Sequence, residues 1–349
     1  MRITNNRLTR SYLTNANKNL EYYNESSQKL TSGRAFTRVS QNVAGGKKAM
    51  RVRTQLYQNE QFQRNISAAN EELSIAESNL REIGDLLVTV KEQAMRANGI
   101  ADGEVLNTLA STLRELKGSV IQYSNCNYVD KYVFSGTNNK DMPFKTDADG
   151  KLLYNGTAVN DITKGADDVF YDADGNVVEM SGTLYIDIGL GLKNNADGSG
   201  VDFNSAYEVT FSGLDCLGFG TSERTYTNHE GQQVTEDLPN NVYEIISEME
   251  KSLNAGDVER VSALNDQLDA SRNNLLRNVA ELGVKTQYLE RNLSMLEDEN
   301  VTLSTIQTNL EGIKDTDEIV RMNEYKYAWM LTLQFGSSVL PQSLMDFLK

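Results

Sequence analysis

Residues 66–97 read "ISAANEELSIAESNLREIGDLLVTVKEQAMRA". Within them Ile66, Ala69, Leu73, Ala76, Leu80, Ile83, Leu87, Val90, Ala94 and Ala97 recur at alternating spacings of three and four. That alternation places every member on one seam of a helix, the pattern that buries against partner helices. No proline interrupts the chain back to Asn42, so the same helix is expected to begin there. At 1.5 Å per residue it would be about 80 Å long. Helices of that length suit rod-like bundles better than small globules.

Two more seams follow. After the Gly-containing break "NGIADGE" (98–104), Leu106, Leu109, Leu113, Leu116, Val120 and Tyr123 form a second. A third runs from about Asp257 to Glu311 through Val261, Leu264, Leu268, Leu275, Val279, Leu282, Leu289, Leu293, Leu296, Leu303 and Leu310. Its phase slips between Leu268 and Val279, as a stutter would produce.

Between Ser135 and about Asn240 the character changes. "TLYIDIGLGL" (183–192) and "AYEVTF" (206–211) alternate with a period of two, which predicts strands. "DADG" occurs at 147–150 and again at 172–175, "YNGT" at 154–157 and "NADG" at 195–198, all tight-turn sequences. The ends are helical again. Leu13, Ala16, Leu20, Tyr23 and Leu30 share a face near the N-terminus; Ile319, Met322, Tyr325 and Trp329 do so near the C-terminus. Asp315 or Thr316 is the expected N-cap of the last helix, with Glu318 closing a capping box for the former.

The fold class expected is mainly α with a β-rich insert: an elongated antiparallel helical bundle or coiled coil built from N- and C-terminal segments around a central β domain. Its parts are terminal helix 1–40, long helices 41–134, β-rich insert 135–240, returning long helix 241–314 and terminal helix 315–349. Outgoing and returning helices would bring both ends of the chain together.

Composition excludes several classes of function. The 349 residues have a mean hydropathy of -0.49, and no run approaches the ~18 apolar residues of a membrane span. The first residues lack an apolar core, so no cleaved secretory signal is expected. Cys126 and Cys216 lie far apart without a CxxC, and His229 is the only histidine. Disulfide frameworks, thiolate metal sites and His-centred catalysis therefore have little to build on. "AGGKKAM" (44–50) lacks the spacing and preceding strand of a phosphate loop. In "DADG" glycine stands fourth, where a calcium loop of the EF-hand kind needs it sixth.

Net charge is -15 but unevenly spread. Residues 1–64 hold twelve Lys/Arg against three Glu, and 135–240 hold six against eighteen Asp/Glu. The basic stretch Arg34, Arg38, Lys47, Lys48, Arg51 and Arg53 has no interleaved stacking aromatics, and the acidic whole opposes phosphate approach. Acidic surfaces of neighbouring copies are its expected complement, not nucleic acid. The terminal faces, with Leu344, Met345, Phe347 and Leu348 in "SLMDFLK", carry more apolar surface than one bundle end covers. Patches of that size mark protein interfaces. The predicted assembly interface is Leu13, Leu20, Tyr23, Leu30, Ile319, Met322, Trp329, Leu344, Met345, Phe347 and Leu348.

"MRITNNRLTRSYLTNANKNL", "LTSGRAFTRVSQNVAGGKKAMRVRTQL" and "QRNISAANEELSIAESNL" resemble the N-terminal region of bacterial flagellins and their junction proteins. "ELGVKTQYLERN" and "KDTDEIVRMNEYKYAWMLTLQ" are similar to the family's C-terminal region. "KYVFSGTNNKDMPF" (131–144) and "SLMDFLK" look more like its hook–filament junction members than its filament subunits. Where the family usually shows Ser-Asp-Asp-Pro, this chain has Ser40, Gln41, Asn42 and Val43; Ser40 or Asn42 can still cap the following helix. The resemblance implies a non-enzymatic structural protein without cofactors. It also implies export through the flagellar channel without signal cleavage, served by the export apparatus and an export chaperone. Assembly would be as a homo-oligomeric ring between hook-associated protein 1 and flagellin. An enzyme lodged in the insert and a cytoplasmic coiled-coil adaptor are the readings from other classes.

Overall fold

A computed structural model of the chain describes residues 2–100, 102–129, 131–136, 141–165, 169–179, 185–195, 201, 205–209, 212–228 and 230–339. Seven α-helices stand out among them: α1 (Arg2–Ser32), α2 (Val43–Arg96), α3 (Gly103–Ser124), α4 (Gly213–Leu217), α5 (Val242–Ala255), α6 (Val258–Glu311) and α7 (Asp315–Val339). Chain contacts divide the molecule into two compact units, Met1–Glu60 with Glu297–Lys349, and Gln61–Leu296. Both α2 and α6 contribute to each.

In the larger unit α2 and α6 run antiparallel. A Cβ on Gly84 would lie 3.5 Å from Leu275, one on Gly283 would lie 3.6 Å from Glu77, and the Lys91 ammonium binds Asp269 at 2.8 Å. All ten members of the 66–97 seam are buried. From α6, Val261, Leu264, Leu268, Leu275, Val279, Leu282, Leu289 and Leu296 meet them in one core, so both sides of the stutter face inward. Leu106, Leu113 and Val120 of α3 join the same core, as do Val242, Ile245, Ile246, Met249 and Leu253 of α5.

α6 begins at Val258, beside the Asp257 at which the third seam starts, and α5 precedes it as a separate helix within 241–314. Gly256 sits in the left-handed region (φ 76°), and the amides of Gly256 and Asp257 close back onto the carbonyls of Leu253 and Ser252. That is the glycine C-cap geometry, which lets the chain restart at Val258. At the start of α2, Asn42 accepts a hydrogen bond from the Gly45 amide at 2.9 Å and so supplies the cap. α7 begins at Asp315 itself, one residue earlier than a cap there would require.

Antiparallel strands of two to seven residues lie in the insert and just before it. β1 (Asn127–Tyr128) pairs with β2 (Lys131–Tyr132); β3 (Phe144–Thr146), β4 (Leu152–Tyr154) and β5 (Thr157–Ala158) form a sheet. β6 (Thr163–Lys164), β7 (Phe170–Tyr171) and β8 (Val177–Glu179) form another. β9 (Tyr185–Ile186) pairs with β10 (Tyr207–Glu208), and β11 (Thr221–Thr227) with β12 (Gln233–Pro239). The strand stretches read from the sequence thus reduce to two paired residues each among the described ones.

The turn reading has a common physical basis. Asp147 accepts hydrogen bonds from the amides of Asp149 and Lys151, Asp172 from those of Asp174 and Asn176, and Asn228 from those of Glu230 and Gln232. Each side-chain oxygen is occupied by its own turn, which is how Asx residues initiate tight turns.

Two glutamates pin the insert from within. Glu179 accepts from the Tyr154 hydroxyl at 2.9 Å and from Ser212 at 2.7 Å; Glu244 of α5 accepts the Leu152 amide. Burial raises both carboxyls above their ordinary 4.5, with the hydrogen bonds opposing the shift.

Candidate assembly interface

In the smaller unit α1 packs antiparallel against α7. Asn19 donates to Thr332 at 2.8 Å, Tyr23 stacks on Trp329, Tyr22 meets Tyr325, and Ser26 donates to Glu318 at 2.6 Å. The chain then crosses over at a short antiparallel bridge, Arg34 to Gly312, where the Ala35 amide donates to the Glu311 carbonyl. Arg53 holds the Glu311 carboxylate at 2.6 Å, and Asn59 reaches Glu299 at 3.3 Å, so α2 and α6 are antiparallel here as well.

A two-helix pair has only one covered face per helix. Leu20, Tyr23, Leu30, Met322 and Trp329 are half-buried along the shared face, whereas Leu13 and Ile319 remain about half exposed, at 50% and 45%. The structure brings Tyr23 and Trp329 together within one chain and leaves Leu13 and Ile319 facing out. Leu344, Met345, Phe347 and Leu348 lie outside the described residues, as does His229.

The outward surface is wider than the seam reading anticipated. Val320, Tyr327, Met330 and Leu333 of α7 are also exposed, as is Leu8 of α1. Apolar residues of α7 therefore lie on more than the one face that runs through Ile319, Met322, Tyr325 and Trp329. Exposed apolar surface on that scale marks a protein interface. Burial of a large apolar side chain is favourable by about 1.5–3 kcal/mol. That driving force is unspent in the isolated pair.

Burial pushes the Cys126 thiol up to about 12 and raises Cys216 further, so neither is a ready nucleophile. Among the described residues no three His, Cys, Asp or Glu side chains cluster as a metal site would require. No helix of the described residues is long and apolar enough to cross a membrane.

Comparison with known proteins agrees with this architecture. The family known as the bacterial flagellin N-terminal helical region matches residues 3–139. A solved protein described as a flagellar hook-associated protein of Vibrio parahaemolyticus superposes with a TM-score of 0.55 at 14% identity, over 78% of this chain and 100% of that one. FlgL of Bacillus cereus superposes with a TM-score of 0.50 at 15% identity, over 74% of this chain and 99% of that one. No curated protein sequence matches the chain. At these identities the structural likeness is one of fold. Residues 3–139 match the bacterial flagellin N-terminal helical region, and the chain shares the fold of these solved flagellar proteins.

Proposed function

We propose that this chain is a structural junction protein of the bacterial flagellum, of the hook-associated protein 3 type. It joins the hook, through hook-associated protein 1, to the flagellin filament. The observation that carries the reading is the outer surface of the α1–α7 pair, where Leu13, Ile319, Val320, Tyr327, Met330 and Leu333 are exposed. On this reading neighbouring subunits cover that surface as copies close into a ring, and the 343–349 segment adds to it. The chain reaches its place through the flagellar export apparatus, with its terminal helices unpaired during export and held by an export chaperone. The protein carries load and register and performs no catalytic step.

A deletion strain tests this. Loss of a junction protein leaves hooks in place and releases flagellin into the medium, and supplying this chain should restore filaments. Deletion of a filament subunit would instead leave hooks with no flagellin to release. That second result would replace the junction reading with the filament-subunit one. Removing residues 343–349 should yield a helical, secreted chain that no longer supports filament growth; swimming by that strain would remove the segment from the interface.

A further inference from the structure

The smaller unit carries two opposite charge patches that do not meet within the chain. From Ser26 to Asn59 there are seven Lys/Arg and no acidic residue. Lys47, Lys48 and Arg51 of α2 are exposed, and among the described residues none has an ion-pair partner. They sit in the first turns of a helix whose opening turn holds no acidic residue. On α6, "EDE" at 297–299 puts like charges side by side in mid-helix, and Glu297 and Asp298 are exposed without an ion-pair partner among the described residues.

Their separation follows from the pairing of the two helices. Asn59 bonds Glu299, which sets the acidic patch level with residue 59. The basic patch lies eight to twelve residues earlier on α2, about 12–18 Å along the axis. No side chain spans that gap. Each patch also adjoins exposed apolar surface, Met50 beside the cations and Val301 beside the anions. An apolar centre with a charged margin is the composition of a protein interface.

We propose that Lys47, Lys48 and Arg51 of one copy dock against Glu297 and Asp298 of a second copy. Two different patches meeting make a heterologous contact, which propagates from copy to copy and closes as a ring if the rotation allows. The axial offset of the patches then fixes the stagger between neighbours. This rests on the assembly reading above and names the surface that it uses.

Charge reversal in the deletion strain tests the contact. K47E/K48E/R51E and E297K/D298K should each raise flagellin in the medium at least about tenfold over the wild-type chain, since like charges brought together cost several kcal/mol. The chain carrying all five substitutions should return flagellin release to near the wild-type level, because every self-contact is again complementary. Sedimentation of the purified chains gives an independent readout. Each reversed variant alone should remain unassociated at low salt, and an equal mixture of the two should associate. Wild-type behaviour of either reversed variant overturns the proposal. So does failure of both the five-fold swap and the mixture, with helix content and extracellular amounts matching wild type; that result assigns the patches to a different protein. If the wild-type chain itself fails to suppress flagellin release, the junction reading falls instead, whatever the variants do.

Discussion

Tyr23 of α1 and Trp329 of α7 stack with ring centroids 6.3 Å apart and planes inclined by 6°. Their contact bridges the two ends of the chain, and Trp329 is the only tryptophan in it. Tyr23→Leu keeps an apolar side chain but removes the ring pair, which is worth about 0.5–1.5 kcal/mol beyond its buried area. Tryptophan emission should shift to the red in this variant. A melt followed at Trp329 should come earlier by that amount, with the overall helix signal changed little. An unshifted emission spectrum would mean that the pair is not held in solution.

One turn further along, Ser26 donates to the Glu318 carboxylate at 2.6 Å, and both residues are buried. Ser26→Ala removes the donor and leaves a buried oxygen without it. The cost of an unsatisfied buried group is about 1–3 kcal/mol, more for a charged one. Ser26→Ala should therefore destabilise the α1–α7 pair more than Ser27→Ala, whose side chain is neither buried nor bonded to α7. Equal effects in thermal melts followed at Trp329 would count against the Ser26–Glu318 bond.

Which parts of this molecule were legible before its structure follows from what periodicity can encode. The seams of α2 and α6 are long, strictly spaced and buried on one side, so heptad reading finds nearly every core residue. Helix α5 escapes it, because its 14 residues end at the Gly256 cap, before the long seam from about Asp257 begins. Strands of two or three residues are too short for a period of two to register, and the seven-residue β11 is polar at nearly every position, whereas the Asp-x-Asp-Gly turns are visible. On α7 the difficulty is the reverse. Ile319, Met322 and Trp329 share one face by their spacing, but Val320, Tyr327 and Met330 lie around them and are exposed as well. Within one chain Trp329 already has a partner in Tyr23, a long-range pairing that no local pattern announces.

Glu250 of α5 is buried yet holds its charge. Burial acts to raise its carboxyl, but hydrogen bonds from Lys117 at 2.8 Å and Arg114 at 2.7 Å hold it below 4.5. The Lys117 side chain is itself largely covered and Arg114 largely exposed, so Lys117 is the stronger of the two anchors. Lys117→Met should destabilise the larger unit by about 3 kcal/mol, within the range for breaking one partner of a buried pair. The depressed carboxyl contributes stability that is present above its ordinary value of 4.5 and lost as pH falls through the lower folded value. Lys117→Met should flatten that acid limb. A wild-type acid profile in the variant would assign the loss to other carboxylates.

Glu179 has the opposite sign. Its folded value is raised, so the folded chain binds a proton more tightly than the unfolded one. Stability linked to this group is therefore greatest below 4.5 and declines as pH rises through the folded value, remaining low above it. Glu244, raised for the same reason, acts in the same direction. Glu179→Gln keeps an acceptor for Tyr154 and Ser212 without the charge. Its melting temperature should fall less than that of wild type between pH 4.5 and neutrality. If the two profiles stay parallel, Glu179 is charged at little cost and the carboxylate is better solvated than its burial indicates.

Two buried glycines make paired tests of backbone space. Gly84 lies inside α2, where glycine is less favourable than alanine by about 1 kcal/mol. A Cβ there would meet the Leu275 methyl at 3.5 Å, an ordinary van der Waals contact. Gly84→Ala should therefore stabilise the larger unit by about 1 kcal/mol, partly by restricting the unfolded chain. Gly213 opens α4, and a Cβ there would lie 2.7 Å from the Phe134 carbonyl and 2.9 Å from the Phe144 ring. The Gly213 amide also donates to that carbonyl, so neither the backbone nor the fully buried ring can step aside cheaply. Gly213→Ala should destabilise by about 1–3 kcal/mol, as overpacked sites do. Denaturant melts of the two variants should move in opposite directions from wild type. A loss of stability in Gly84→Ala would show that the α2–α6 contact is packed more tightly than 3.5 Å implies.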